Sequence, residues 1–142
     1  MTTLRLAQRA DIPGMHRVRL AVRENRLSSP GRISEADYVA ELELPGRGWV
    51  LEVGGVIVAF AIGNSSDGNI WALFVDPEHE GRGYGRRLHD TMVEWLGSRG
   101  VEQLWLTTAP GTRAQRFYEA AGWRCTGPVA SGELRFVRKP ST

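Results

Sequence analysis

The stretch Ile70-Trp71-Ala72-Leu73-Phe74-Val75-Asp76-Pro77-Glu78-His79-Glu80-Gly81-Arg82-Gly83-Tyr84-Gly85-Arg86-Arg87-Leu88 decides how this chain is read. Its first six residues are apolar without a break, as in a central strand buried on both faces, and Asp76-Pro77 ends it. Beyond the glycines, Leu88, Met92, Trp95 and Leu96 recur on one side of a helix expected from about Gly83 to Gly97. The glycines therefore lie between a buried strand and a helix start. They let the backbone turn tightly and approach a ligand with no Cβ in the way. The helix start adds unpaired N–H groups and a partial positive charge, and Arg82, Arg86 and Arg87 add full charges at the same end. A pyrophosphate is the expected ligand. The dinucleotide spacing G-x-G-x-x-G fails, because its third glycine would fall on Arg86, and a G-K-[ST] phosphate loop fails because the only Lys is Lys139.

Elements on either side complete an α/β order. Leu4 and Leu6 alternate with Arg5, a short strand signal. Asp11 stands as a candidate N-cap before a helix with Pro13 in its first turn and an apolar face of Met15, Val18 and Val22. Arg23–Gly31 is polar and ends in turn residues. A second helix is expected from Ser34, with Asp37 completing a capping box, to Pro45-Gly46. Strands Gly48–Val53 and Val56–Ile62 flank Gly54-Gly55, a tight hairpin. After the glycine helix come a strand at Val101–Thr107 and a helix at Thr112–Ala121, capped by Thr112 and stopped by Gly122. Strands near Trp123–Thr126 and Glu133–Arg138 close the order. The expected architecture is β-α-α-β-β-β-α-β-α-β-β, a mixed central sheet of six to seven strands flanked by about four helices, in one domain over residues 1–142 with a short tail.

Composition narrows the function classes. A chain of 142 residues that is 42% hydrophobic and 24% charged can bury a core without disulfides or metals, which excludes disorder as its main state. Eighteen basic residues against sixteen acidic ones give a net charge of +2. Apart from Arg82, Arg86 and Arg87 the arginines are scattered, unlike the basic stripe of a nucleic-acid binder. The N-terminus is no signal peptide and the apolar runs are short, so a cytoplasmic protein that neither spans nor binds a membrane is expected. Cys125 has no partner for an internal disulfide and reads as core, as do Trp49, Trp95, Trp105 and Trp123 as packing; no zinc-ligand spacing occurs.

Val75-Asp76-Pro77-Glu78-His79-Glu80-Gly81-Arg82-Gly83-Tyr84-Gly85 closely resembles motif A of the GNAT superfamily of acyl-CoA-dependent N-acyltransferases. There a strand ending in Val-x-Pro leads to Q/R-x-x-G-x-G/A. Downstream, Thr112-Arg113-Ala114-Gln115-Arg116-Phe117-Tyr118-Glu119-Ala120-Ala121-Gly122-Trp123 resembles motif B, N-x-x-A-x-x-F-Y-x-x-x-G-F. Two motifs in the right order, one helix and one strand apart, are more specific than either alone, and the resemblance spans nearly the whole chain. Two positions depart from the pattern. Glu80 stands where Gln or Arg is usual and is expected to point away or pair with a neighbouring Arg. Gly111 stands in place of the motif B Asn, whose contact with the pantetheine arm Thr112 could replace.

The resemblance implies transfer of an acetyl group from acetyl-CoA to a primary amine, by direct attack in a ternary complex and without a metal. It implies that strand Ile70–Val75 splays from strand Val101–Thr107, with the pantetheine arm in the gap and the backbone of Leu73, Phe74 and Val75 facing it. Gly81, Arg82, Gly83, Tyr84, Gly85 and Arg86 would hold the pyrophosphate, with Thr112 and Tyr118 further along the cofactor. Tyr118 corresponds to the residue that protonates the departing CoA thiolate, and a phenol with an ordinary pKa near 10 is protonated at neutral pH. Glu24 is a candidate base, with a water chain to solvent as the alternative. Arg19, Arg23, Glu24, Asn25, Tyr38 and Trp71 are candidates for the acceptor site. His16 reads as helix surface, and His79 and His89 flank the phosphate loop. A non-catalytic acyl-CoA sensor on the same fold stays open as the alternative, the acceptor is not legible, and a sheet edge or shared C-terminal strand leaves room for a homodimer.

Overall fold

At Gly54 and Gly55 the backbone takes φ of +59° and +82°, the two left-handed residues of a type I′ turn, and the hairpin expected there forms. The computed structural model, which describes residues 1–22 and 33–140, builds a sheet outward from this hairpin. Its arms are β2 (Gly46–Val53) and β3 (Val56–Asn64); β1 (Thr2–Leu6) lies beside β2 and β4 (Ile70–Val75) beside β3, all antiparallel. A second antiparallel sheet holds β5 (Leu104–Thr108), β7 (Leu134–Arg138) and β6 (Arg124–Pro128) in the order β5-β7-β6. With α1 (Ile12–Ala21), α2 (Glu35–Leu42), α3 (Tyr84–Ser98) and α4 (Arg113–Ala120), the described residues contain seven strands and four α-helices.

Side-chain alternation sends the first sheet's residues to two cores. Val50, Phe60, Ile62 and Ala72 meet Ile12, Met15 and Val18 of α1 and Tyr38 of α2. Trp49, Leu51, Ala59 and Ala61 meet Leu88, Met92 and Leu96 of α3, a core that continues to Leu104, Leu106, Trp123 and Phe136 of the second sheet region. Ser34 caps α2 as expected: its Oγ accepts from the Asp37 N–H at 3.3 Å, and the Asp37 carboxylate accepts from the Ser34 N–H at 2.8 Å.

Several expectations need correction. β4 is not buried on both faces: Trp71, Leu73, Phe74 and Val75 are half-buried, because β4 ends the first sheet and its outer edge opens onto a cleft. α2 stops at Leu42, where Glu43 turns extended, three residues short of Pro45. Asp11 does not cap α1 with its side chain; its carboxylate takes the Gln8 N–H at 2.8 Å and a two-pronged ion pair from Arg5 at 2.8 and 2.9 Å. Cys125 is exposed rather than core, since β6 is the outer strand of its sheet.

Both edges of β4 are irregular. The sheets join through a single parallel bridge from Asn69 to Trp105, after which β4 and β5 diverge. On the other edge, Ile62 and Gly63 of β3 pair with Ala72 and Ile70, which leaves Trp71 as the extra residue of a β-bulge. The bulge re-aims the strand where the cleft begins.

Candidate active site

The divergence of β4 from β5 creates a cavity of about 680 Å³. Leu73, Phe74 and Val75 line one wall; Leu106, Thr107 and Thr108 line the other. β4 is paired with β3 only, so alternate backbone groups along its free edge face the cleft.

Gly81, Gly83, Tyr84, Gly85 and Arg86 form one end. Gly81 and Gly83 hold φ of +76° and +82°, and a Cβ added to either would meet no protein atom within 4 Å. The left-handed turn, rather than crowding, is why glycine stands there, and the open side of the turn admits a ligand up to the backbone. Gly83 is the N-cap of α3, whose first N–H groups follow it. Gly85 has a packing role as well: a Cβ there would sit 3.3 Å from Val75 Cγ2, so its absence lets α3 close onto β4. Arg86 reaches the cavity while its Nε donates to Asp90 Oδ1 at 3.0 Å. Arg82 and Arg87 are exposed and lie off the cavity wall. Glu80 pairs with Arg113 at 2.5 Å, which neutralises the carboxylate that would otherwise oppose an anion here.

Thr112 and Tyr118 come from the start and the body of α4. Thr112 Oγ1 donates to the Ala109 carbonyl at 2.8 Å and accepts from the Gln115 N–H at 3.2 Å, so its hydroxyl is engaged as the helix cap while the residue lines the cavity. Gly111, in the place of the motif B Asn, gives its N–H to Gln115 Oε1 at 2.7 Å. Tyr118 lies on the wall with 6% of its surface exposed, wedged edge-on against Phe117 and Trp123. Burial pushes its phenol pKa upward, so it keeps its proton throughout the neutral range.

Behind Tyr118, Trp123 Nε1 donates to His89 Nε2 at 2.9 Å. An indole N–H can only donate, so His89 carries its proton on Nδ1 and gives it to Asp90 Oδ1 at 2.8 Å. His89 is fully buried, and burial lowers its pKa, so it is neutral. It is a strut behind the glycine loop rather than a group at its side. His79 does line the cavity.

The α1 side of the cavity presents Arg19, Val22 and Trp71; the second sheet presents Trp105, Thr107 and Glu133. Of the residues expected at an acceptor site, Arg19 and Trp71 thus line the cavity. Tyr38 does not: it is 1% exposed, behind Trp71, with its hydroxyl 3.0 Å from His16 Nδ1. That bond also draws His16 inward from the helix surface. Arg23, Glu24 and Asn25 lie outside the described residues. Glu133 is the residue sequence reasoning passed over. It immediately precedes β7, whose Leu134 pairs with Thr108, and its carboxylate is 3.5 Å from Thr107 Oγ1. Only the β5–β7 register reveals this position, and no local motif signals it. Among the described residues two carboxylates line the cavity: Glu80 is held by Arg113, and Glu133 faces the cleft.

Among the described residues no helix is long and apolar enough to cross a membrane, and no group of three or more His, Cys, Asp or Glu is placed to hold a metal ion. Comparison with known proteins agrees with the geometry. Over 70 residues the chain is 33% identical to the [ribosomal protein bS18]-alanine N-acetyltransferase of Haemophilus ducreyi, a match covering 47% of this chain and 48% of that one. Over 68 residues it is 38% identical to the mycothiol acetyltransferase of Beutenbergia cavernae, covering 47% of this chain and 22% of that one. The matched part thus spans half or less of these curated relatives. The PaiA N-acetyltransferase of Thermoplasma acidophilum, solved with coenzyme A, shares the fold at a TM-score of 0.81 and 12% identity, over 98% of this chain and 99% of that one. The family model described as Acetyltransferase (GNAT) family matches residues 19–123, most of the molecule, and the chain belongs to that family.

Proposed function

We propose that this chain is an N-acetyltransferase that uses acetyl-CoA and passes the acetyl group directly to a primary amine in a ternary complex. The carrying observation is that one cavity runs from the glycine turn at the start of α3, past the free edge of β4 and Tyr118, to the polar groups Arg19 and Glu133. Bound acetyl-CoA supplies an activated thioester. The chain's residues fit it: the open turn at Gly81–Tyr84 with Arg86, and with Arg82 nearby, suits a pyrophosphate, and the edge of Leu73, Phe74 and Val75 suits an extended amide-containing arm. Thr112 borders the same path.

An attacking amine must lose a proton, the carbonyl oxygen gains negative charge and the leaving thiolate gains a proton. Glu133 is the proposed proton acceptor from the amine; Glu24, the candidate from the sequence, lies outside the described residues. β4 backbone N–H groups would face the developing oxyanion. Tyr118, kept protonated by burial, would donate to the thiolate. Free-thiol release with acetyl-CoA across a panel of amines tests the reading. Amine-dependent release with matching N-acetyl product is expected. Acetyl-CoA binding with no turnover of any amine would instead identify a non-catalytic acyl-CoA sensor.

A further inference from the structure

Arg19 carries a charge that the described residues leave without a counter-ion. It lies in the last turn of α1 on the cavity wall, its guanidinium 5.1 Å from the Trp71 ring centroid and 4.9 Å from that of Phe74. Its Nε and Nη1 are buried and have no hydrogen-bond partner among the described residues. Arg5 pairs with Asp11, Arg17 with Asp76 and Arg86 with Asp90, whereas Arg19 is in no ion pair among the described residues. Arg135 also has a buried Nε without a partner and stacks on Trp105, but it does not line the cavity, which sets Arg19 apart. The Tyr38 phenol, which Arg19 faces and hydrogen-bonds, is buried and neutral and cannot supply a counter-charge. Contact with two rings is weaker compensation for a guanidinium than the charged hydrogen bonds it forgoes.

An anion arriving in the cavity would satisfy this group. A carboxylate is the planar acceptor that guanidinium geometry suits best. Glu133, on the opposite wall, offers the other sign to an ammonium. The α1 side is also served by a different element from the glycine turn, where Arg86 already stands for the phosphates. We infer that Arg19 binds a carboxylate of the acceptor, so the amines acetylated here are amino acids, which carry both groups. The inference rests on the acetyltransferase reading above and names its substrate class.

Matched trios test it, each an amino acid, its carboxamide and its decarboxylated amine, assayed by thiol release with wild type, Arg19→Gln and Arg19→Lys. In the wild type kcat/KM should favour the carboxylate over the amide by about 10- to 100-fold, the size of one charged hydrogen bond. Arg19→Gln should cut that preference to about threefold or less, chiefly through KM, and Arg19→Lys should restore part of it. A second readout needs no turnover: N-acetyl amino acids should quench tryptophan fluorescence at lower concentration than their amides in the wild type, to a smaller degree in Arg19→Lys, and not in Arg19→Gln. CoA affinity and melting temperature should match the wild type in both variants. No carboxylate preference in the wild type, its survival in Arg19→Gln, or weakened CoA binding in Arg19→Gln would each overturn the assignment. Thiol release with neutral amines alone would overturn it while leaving the acetyltransferase reading intact. No release with any amine would end both.

Discussion

Substituting Gly83 by Ala separates the strain of a left-handed turn from the use of that turn. Gly83 has φ +82° and ψ 7°, and Gly54 in the β2–β3 hairpin has φ +59°. A Cβ added to either meets no protein atom within 4 Å, so neither substitution creates a clash. What remains is the left-handed penalty of an L residue, about 1–2 kcal/mol at each site. For a domain of this size that lowers the melting temperature by roughly 3–8 °C. The two variants should therefore melt alike. Only Gly83→Ala places a methyl group on the cavity wall at the first N–H groups of α3. Losing one amide-to-phosphate hydrogen bond costs about 1.5–3 kcal/mol, roughly 10- to 150-fold in CoA affinity. Calorimetric titration of CoA into both variants, beside their melting curves, measures the two effects independently. Equal CoA affinity in Gly83→Ala and Gly54→Ala would refute the placement of the pyrophosphate at this turn.

Three more outcomes rest on the side chains of the site. Tyr118→Phe should lower kcat about 100-fold with CoA affinity unchanged, and unchanged turnover would remove Tyr118 from proton transfer. Glu133→Gln should reduce kcat/KM by roughly 100-fold at neutral pH and recover as the pH approaches the acceptor amine's own pKa, where no base is needed; a uniform deficit at all pH values would instead mark a binding role. His89 has a lowered pKa, caused chiefly by burial with Arg138 and Arg86 adding to it and Asp90 opposing it. The unfolded chain therefore binds the extra proton first, and stability is lost as the pH falls below about 6.5, by at most about 1.4 kcal/mol per pH unit. Urea melts of wild type and His89→Gln between pH 7.5 and 5 check this, and parallel curves would contradict it.

What could be read from the sequence was what local chemistry dictates. The capping pair Ser34 and Asp37, the hairpin glycines and the span of β4 were legible because each depends on neighbours a few residues away. The glycine turn that ends the cavity was legible for the same reason, since turn and helix start are contiguous in the chain, although of the three arginines only Arg86 reaches the wall. Failures came where a distant partner decides. Asp11 turned from cap to ion pair because Arg5 on β1 reaches it. Cys125 is exposed because β6, not β7, is the sheet's outer strand. His89 is a strut because Trp123, 34 residues away, supplies its hydrogen bond. Glu133 enters the cleft only through the β5–β7 register, so the far end of the cavity, assembled from α1, β4, β5 and the start of β7, has no contiguous signature.

The split between the sheets has an energetic consequence of its own. β4 keeps an unpaired edge and half-buried apolar side chains, where a central strand would have a hydrogen-bonded neighbour and full burial. A ligand that lies along that edge supplies both, so binding should protect the strand and not merely the phosphate turn. At about 100 times its dissociation constant a ligand of the folded state adds roughly 2.7 kcal/mol, about 8–11 °C in melting temperature for this chain length. Hydrogen exchange locates the gain: with CoA, amides of Ile70–Val75 and Leu104–Thr108 should slow together with those of Gly83–Arg86, while those of β6 on the far edge change little. A nucleotide fragment bearing only the phosphates should protect the turn alone. If whole CoA protects only the turn as well, the arm does not lie along β4, and the bulge at Trp71 would have to be explained by packing against Tyr38 and Arg19 instead.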